Sequence, residues 1–131
     1  MSKPLLTDNE QLNAFRRKSE NGELKNDNGN IIAIILRNTD LTTYEVPNYE
    51  HLVYLNLSGN ENLKEVTFSN SLPNLRHFDS SDSKVKSLRF DVGFTSLEWL
   101  DASRNELKEI QLESDLPNLQ YLGFELSLIH I

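Results

Sequence analysis

Nine residues, Leu52-Val-Tyr-Leu-Asn-Leu-Ser-Gly-Asn60, constrain the whole chain. Leu52, Leu55 and Leu57 fall on one side of an extended segment, and Asn60 closes it. One such stretch is weak, because any buried strand carries apolar residues at these spacings. Here it recurs: Ile31, Ile34 and Leu36 with Thr39; Leu75, Phe78 and Ser80 with Ser83; Leu97, Leu100 and Ala102 with Asn105. Leu119, Leu122 and Phe124 begin a fifth copy. The units are 21, 23, 22 and 22 residues long, the extra residue lying between Asn60 and Leu63. A further apolar residue, Tyr49, Leu72, Phe94 or Leu116, falls three places ahead of each new unit. A fixed period of this length requires stacked units, none of which buries its apolar side alone.

Each unit is expected to give one short strand to a parallel sheet, with neighbouring strands ~4.8 Å apart and apolar columns running inward. Thr39, Asn60, Ser83 and Asn105 take the position from which a side-chain amide or hydroxyl bonds the backbone of adjacent turns. The return limbs alternate, as in Tyr44-x-Val46, Val66-x-Phe68, Leu88-x-Phe90 and Ile110-x-Leu112. That period of two predicts short extended segments instead of helices.

Ahead of the repeats, Thr7-Asp8-Asn9-Glu10 has the form of a capping box, with Leu12 and Phe15 on one helical face. Leu5 or Leu6 is positioned to pack beneath the helix start. Arg16, Arg17 and Lys18 suit the negative end of a helix over about residues 8–20, and Asn21-Gly22 predicts its stop. With so few apolar residues the helix serves best as a lid over the first repeat. Residues 25–30, containing Asn28-Gly29, form a polar turn.

The 131 residues carry a formal net charge of −7, and residues 1–30 contribute five charges of each sign, so the excess lies in the repeats. Such a surface is a poor match for nucleic acid or an anionic membrane. A basic partner fits it, although acidity is also a common route to solubility. There is no cysteine, which excludes disulfides and Cys-ligated zinc. No stretch approaches the ~20 apolar residues of a membrane span, and the start lacks a secretory signal; a cytoplasmic address is expected.

Residues 31–125 resemble a bacterial-type leucine-rich repeat protein, through units such as Leu97-Glu-Trp-Leu-Asp-Ala-Ser-Arg-Asn105-Glu-Leu107 and the junctions Leu72-Pro-Asn-Leu75 and Leu116-Pro-Asn-Leu119. The resemblance implies an α/β solenoid: an arc with a parallel concave sheet, short extended convex segments and an N-terminal capping helix over residues 1–30. The short helix before the first repeat is similar to the start of arrays that precede a Ras-of-complex GTPase domain, although no G-x-x-x-x-G-K-[ST] loop is present. Residues 126–131, Leu-Ser-Leu-Ile-His-Ile, are the direct translation of a mosaic-end sequencing adapter (CTG TCT CTT ATA CAC ATC). They are expected to be non-native, with the array continuing past Glu125 and its last strand uncapped. Self-association through that bare end is the alternative. Full burial of Leu119, Leu122 or Phe124 is worth ~1.5–3 kcal/mol each.

The outward positions of the sheet fall into columns. One reads Ala33, Tyr54, His77, Trp99 and Tyr121, and the next Ile35, Asn56, Asp79, Asp101 and Gly123. Arg104 flanks them. Aromatic residues are favoured at binding hot spots, so Tyr54, Asn56, His77, Asp79, Trp99, Asp101, Arg104 and Tyr121 are the expected contacts for a protein or peptide partner. Cross-strand stacking that merely stiffens the sheet is the competing explanation. His77, Asp79 and Asp101 lie close enough in two dimensions to raise a metal cluster, but proximity is not coordination geometry, and no metal or cofactor is expected. Lys64, Lys86 and Lys108 form a solvated edge beside Glu65 and Glu109. His51 has no nucleophile partner and no serine lies in G-x-S-x-G, so no catalytic residue is expected. The expected function is non-enzymatic partner recognition, with the sensor arm of a larger GTPase or kinase as the alternative.

Overall fold

The computed structural model describes residues 7–90, 93–112 and 116–125. Leu5, Leu6 and the adapter-like residues 126–131 lie outside the described residues. Helix α1 (Asp8–Lys18) starts on the capping box: the Glu10 amide donates to Thr7 Oγ1 at 3.2 Å and the Thr7 amide to Glu10 Oε1 at 3.3 Å. It stops at Ser19, which is left-handed at φ 51°, two residues before the predicted Asn21-Gly22 stop. Asn21 has another use. Its Nδ2 donates to the Arg37 carbonyl at 2.9 Å and its Oδ1 accepts from the Arg37 amide at 2.8 Å. Strand β1 (Gly22–Lys25) then pairs antiparallel with β2 (Ile31–Ile35), through a turn in which Gly29 takes φ 81°. The sequence predicts no strand at β1, because Leu24 is its one apolar side chain.

The outward and return limbs then alternate. β4 (Tyr54–Asn56), β6 (His77–Asp79), β8 (Trp99–Asp101) and β10 (Tyr121–Gly123) join β2 in a six-stranded sheet ordered β1-β2-β4-β6-β8-β10. All its pairs except β1–β2 are parallel. The return limbs β3 (Thr43–Val46), β5 (Glu65–Phe68), β7 (Ser87–Phe90) and β9 (Glu109–Leu112) pair as β3–β5 and β7–β9 on the other side. The fold is a β-solenoid with one N-terminal helix among the described residues.

The core lies between the two sets of strands. Ile34, Leu55, Phe78 and Leu100 from the main sheet meet Val46, Leu88 and Phe90 from the return limbs, all essentially out of solvent. Where β5 and β7 fail to pair, four of the six phenylalanines fill the step: Phe68 lies 4.9 Å from Phe94 and 5.9 Å from Phe78, and Phe90 lies 5.2 Å from Phe94. Asn60 uses its whole amide. Nδ2 donates to the Leu36 and Leu57 carbonyls at 2.8 and 2.7 Å, while Oδ1 accepts from the Thr39 amide at 2.8 Å. Asn105 repeats this with the Ser80 carbonyl at 2.8 Å and the Val85 amide at 3.0 Å. Each asparagine thus ties two turns together and satisfies backbone groups that burial would otherwise orphan. Ser80, in the third apolar column, is fully buried, and its Oγ finds no hydrogen-bond partner among the described residues.

A further regularity sits at the eighth residue of each unit. Asn38, Gly59, Asp82 and Arg104 are all left-handed, with φ of 54°, 74°, 55° and 53°. Glycine, asparagine and aspartate tolerate this conformation and arginine does not favour it. At Gly59 a Cβ would stand 2.2 Å from Asn38 Oδ1, so a side chain there would have to displace the Asn38 tip as well as adopt the left-handed backbone.

The helix does not cover the end of the stack; β1 does that. Instead α1 lies across the outer face of the main sheet, where Leu12 and Phe15 bury Ala33, Ile35 and Tyr54. Asn26 Nδ2 donates to Asp8 Oδ2 at 3.2 Å and fixes the helix to the hairpin turn. At the opposite end the inward Leu122 is 44% exposed, whereas Leu55, Phe78 and Leu100 in the same column are at 0%.

Candidate protein-binding face

Period fixes register, and register builds the face. Ala33, Tyr54, His77, Trp99 and Tyr121 stand directly opposite one another on successive strands. Their rings stack: Tyr54–His77 centroids are 4.6 Å apart, His77–Trp99 5.5 Å at 5° between planes, and Trp99–Tyr121 3.8 Å at 13°. The guanidinium of Arg16 caps the row, 4.6 Å from the Tyr54 ring centre.

Exposure along the row is uneven among the described residues. Tyr54, expected to be exposed, is 5% exposed, because the apolar outward pair Ala33 and Ile35 draws the helix onto this side. Trp99 and Tyr121, beyond reach of the helix, are 38% and 36% exposed. His77 lies at the boundary. Burial lowers its pKa from 6.5 to about 4, helped by Arg16 and opposed by Asp101, so its ring is neutral near pH 7. A groove of ≈ 590 Å³ runs between α1 and the row, lined by Asn13, Arg16, Arg76, His77, Glu98 and Trp99 among others.

The second column is already partly occupied by its own backbone. Oδ1 of Asn56, Asp79 and Asp101 accepts the amide of Ser58, Ser81 and Ser103 at 3.0, 2.9 and 2.9 Å. The repeated Asx-x-Ser therefore closes each strand with a local turn. Asn56 Nδ2 also donates to the Tyr54 hydroxyl at 3.1 Å, joining the two columns. Asp79 and Asp101 are direct cross-strand neighbours, and burial first, with Asp101 adding, raises the Asp79 carboxyl above its ordinary pKa. At Gly123 a Cβ would stand 2.8 Å from Asp101 Oδ1 and 2.9 Å from the Tyr121 hydroxyl, so a side chain there would displace both tips.

Arg104, expected to meet a partner, is paired with the adjacent unit and keeps its side chain 45% exposed. Its Nε donates to Asp82 Oδ1 and its Nη2 to Asp82 Oδ2 at 3.0 Å, a bidentate pair between two left-handed residues. This contact lowers the Asp82 carboxyl. Among the described residues no three His, Asp or Glu side chains form a metal-binding group. Sequence reasoning missed Asn13 and Arg16 as walls of the groove. The signal was Ala33 with Ile35, two apolar residues at outward positions, which call for a cover.

The chain is similar to part of a Roc-COR-CHAT protease. That protein, from Runella zeae, is 34% identical over 80 residues, which is 60% of this chain and 9% of the relative. The chain thus spans under a tenth of the curated relative it matches. No family model and no solved structure matches.

Proposed function

We propose that this chain is the leucine-rich repeat sensor arm of a larger multidomain protein, and that it catalyses no step itself. The observation that carries this reading is the similarity to one short stretch of a Roc-COR-CHAT protease. On this reading Roc, COR and CHAT protease parts, as that relative's name gives, lie elsewhere in the full-length protein. The leucine-rich repeat assignment is supported by the spacing of Leu52, Leu55, Leu57 and Asn60 and by the two-turn hydrogen bonding of Asn60 and Asn105. The arm acts in the cytoplasm and recognises a protein or peptide, not nucleic acid or membrane. Recovering the locus from genomic DNA tests this. The reading frame is expected to continue past Glu125 into a G-x-x-x-x-G-K-[ST] loop; a stop codon soon after Glu125 contradicts it.

A free-standing protein-binding module is the second reading, favoured by the exposure of Trp99 and Tyr121 on an otherwise polar face. In both readings the contacts come from His77, Trp99 and Tyr121, with Asp101 giving charge preference. Tyr54, Asn56 and Asp79 hold those groups in place from beneath and beside them. Alanine at Trp99 or Tyr121 is expected to weaken partner binding ~30-fold or more without unfolding the chain. Unchanged affinity in both variants would remove the face from the account.

A further inference from the structure

Two guanidiniums reach the groove beside the aromatic row, and they come from different elements. Arg16 stands on α1, and Arg76 directly precedes β6. Other arginines on this side of the sheet are engaged within the fold: Arg37 donates through Nε to Ser58 Oγ at 3.0 Å, and Arg104 is held by Asp82. Arg16 and Arg76 make no ion pair among the described residues. The Arg16 guanidinium lies over the Tyr54 ring, and Arg76 forms hydrogen bonds through its backbone alone. A guanidinium carries five donors in one rigid plane, and laid over a ring it keeps them available. His77 between these groups is neutral near pH 7. The charged side chains of the groove are therefore two arginines against Glu98, a positive balance on a chain of formal net charge −7.

We propose that this groove takes an acidic residue from a peptide segment of the partner protein, its carboxylate held by Arg16 and Arg76. The inference rests on the partner-recognition reading above and names the chemistry of the partner at this point. The acidity of the repeats as a whole favours a basic partner; the groove calls for a carboxylate within it. A carboxylate accepts paired N–H bonds from a guanidinium, and a second guanidinium in the same groove serves its remaining lone pairs. Leu12, Val53 and Trp99 line the groove as well and offer apolar surface to the neighbouring residue of the peptide. Glu98 sets the limit. It would repel a second carboxylate, so an acidic residue beside an apolar one fits better than an acidic run. The arginines stand over β4 and at the start of β6, with β8 and β10 between them and the far edge of the described sheet. The site is therefore the same whatever stacks beyond β10.

The single tryptophan of the chain, Trp99, lines the groove, so its fluorescence reports on occupancy. The 131-residue chain is titrated with blocked acetyl-Gly-Ser-Xaa-Leu-Ser-Gly-amide peptides in which Xaa is glutamate, its uncharged isostere glutamine, or lysine. Glutamate is expected to give a saturable change, weakened by added salt. Affinity for the glutamine peptide should be ~3–30-fold lower, and lysine should bind more weakly still. Arg16→Gln and Arg76→Gln should each reduce the preference for glutamate over glutamine, with far-ultraviolet circular dichroism confirming the fold. Arg76→Gln leaves the contact of Arg16 with Tyr54 in place, so it tests the site even where Arg16→Gln loosens the helix. Lys18→Gln removes a charge from the same helix outside the groove and should leave the preference unchanged. Saturable binding that is equal for the three peptides would overturn the carboxylate site while leaving the groove a peptide-binding surface. No saturable change with any peptide overturns the site, and so does a glutamate preference that survives Arg76→Gln. Loss of binding to the natural partner in Trp99→Ala and Tyr121→Ala would leave the broader recognition reading standing in those cases.

Discussion

The two ends of the main sheet carry the same columns and treat them in opposite ways. At β2 and β4 the inward side is sealed by the stack, the strand edge by β1, and the outer face by α1. At β8 and β10 no helix among the described residues crosses the outer face, where Trp99 and Tyr121 are 38% and 36% exposed, and the inward Leu122 is 44% exposed. The difference shows what the helix accomplishes. It turns the first rings of the row into core and leaves the last ones as surface, with His77 at the border. A uniform repeat therefore acquires a direction, with its aromatic row covered at the early units and exposed at Trp99 and Tyr121.

The comparison can be tested by removing equivalent side chains. Leu55→Ala at the closed end should cost ~2–5 kcal/mol, the range for a sealed core leucine. Leu122→Ala, in the same column, should cost under ~1 kcal/mol, because solvent already reaches it. Urea denaturation of the two variants measures the contrast, and equal losses would break it. An effect between those two, ~2 kcal/mol, is expected for Leu12→Ala, whose residue is 9% exposed on the sheet-facing side of the helix. That variant should also raise acrylamide quenching of a fluorophore near Tyr54 while leaving Trp99 unchanged.

The border residue gives a pH test. His77 binds its proton near 6.5 when unfolded and at about 4 when folded, so the unfolded chain takes up the proton first. Its contribution to stability is whole above about pH 6.5 and is lost as pH falls toward about 4. Asp79, whose carboxyl is raised by burial, acts in the opposite direction. The difference between the wild type and His77→Gln isolates the histidine. The gap in urea midpoint should narrow as pH falls through that window; a constant gap contradicts the placement of His77.

Much of the architecture was legible because register follows from unit length. Once Leu52, Leu75, Leu97 and Leu119 are aligned, the pairing of His77 with Trp99 and of Asp79 with Asp101 is fixed. The return strands were legible from their period of two. The cover was not. Leu24 alone could not announce β1, and Leu12 with Phe15 could not say which side of the first unit the helix would take. Spacing alone therefore places Tyr54 on the open surface. The Asx-x-Ser repeat was visible in Asn56, Asp79 and Asp101, but its meaning depended on backbone geometry that spacing does not reveal. Arg104 is the clearest case of that kind, since nothing in its neighbours marks a left-handed residue.

Residue-resolved hydrogen exchange of the native chain tests the contrast between the two ends most directly. Protection is expected to be highest across β2, β4 and β6 and to fall toward β10, with Trp99 and Tyr121 in the less protected half. Protection that is uniform along the sheet, or lowest at β2, would contradict a first unit covered by α1 and β1.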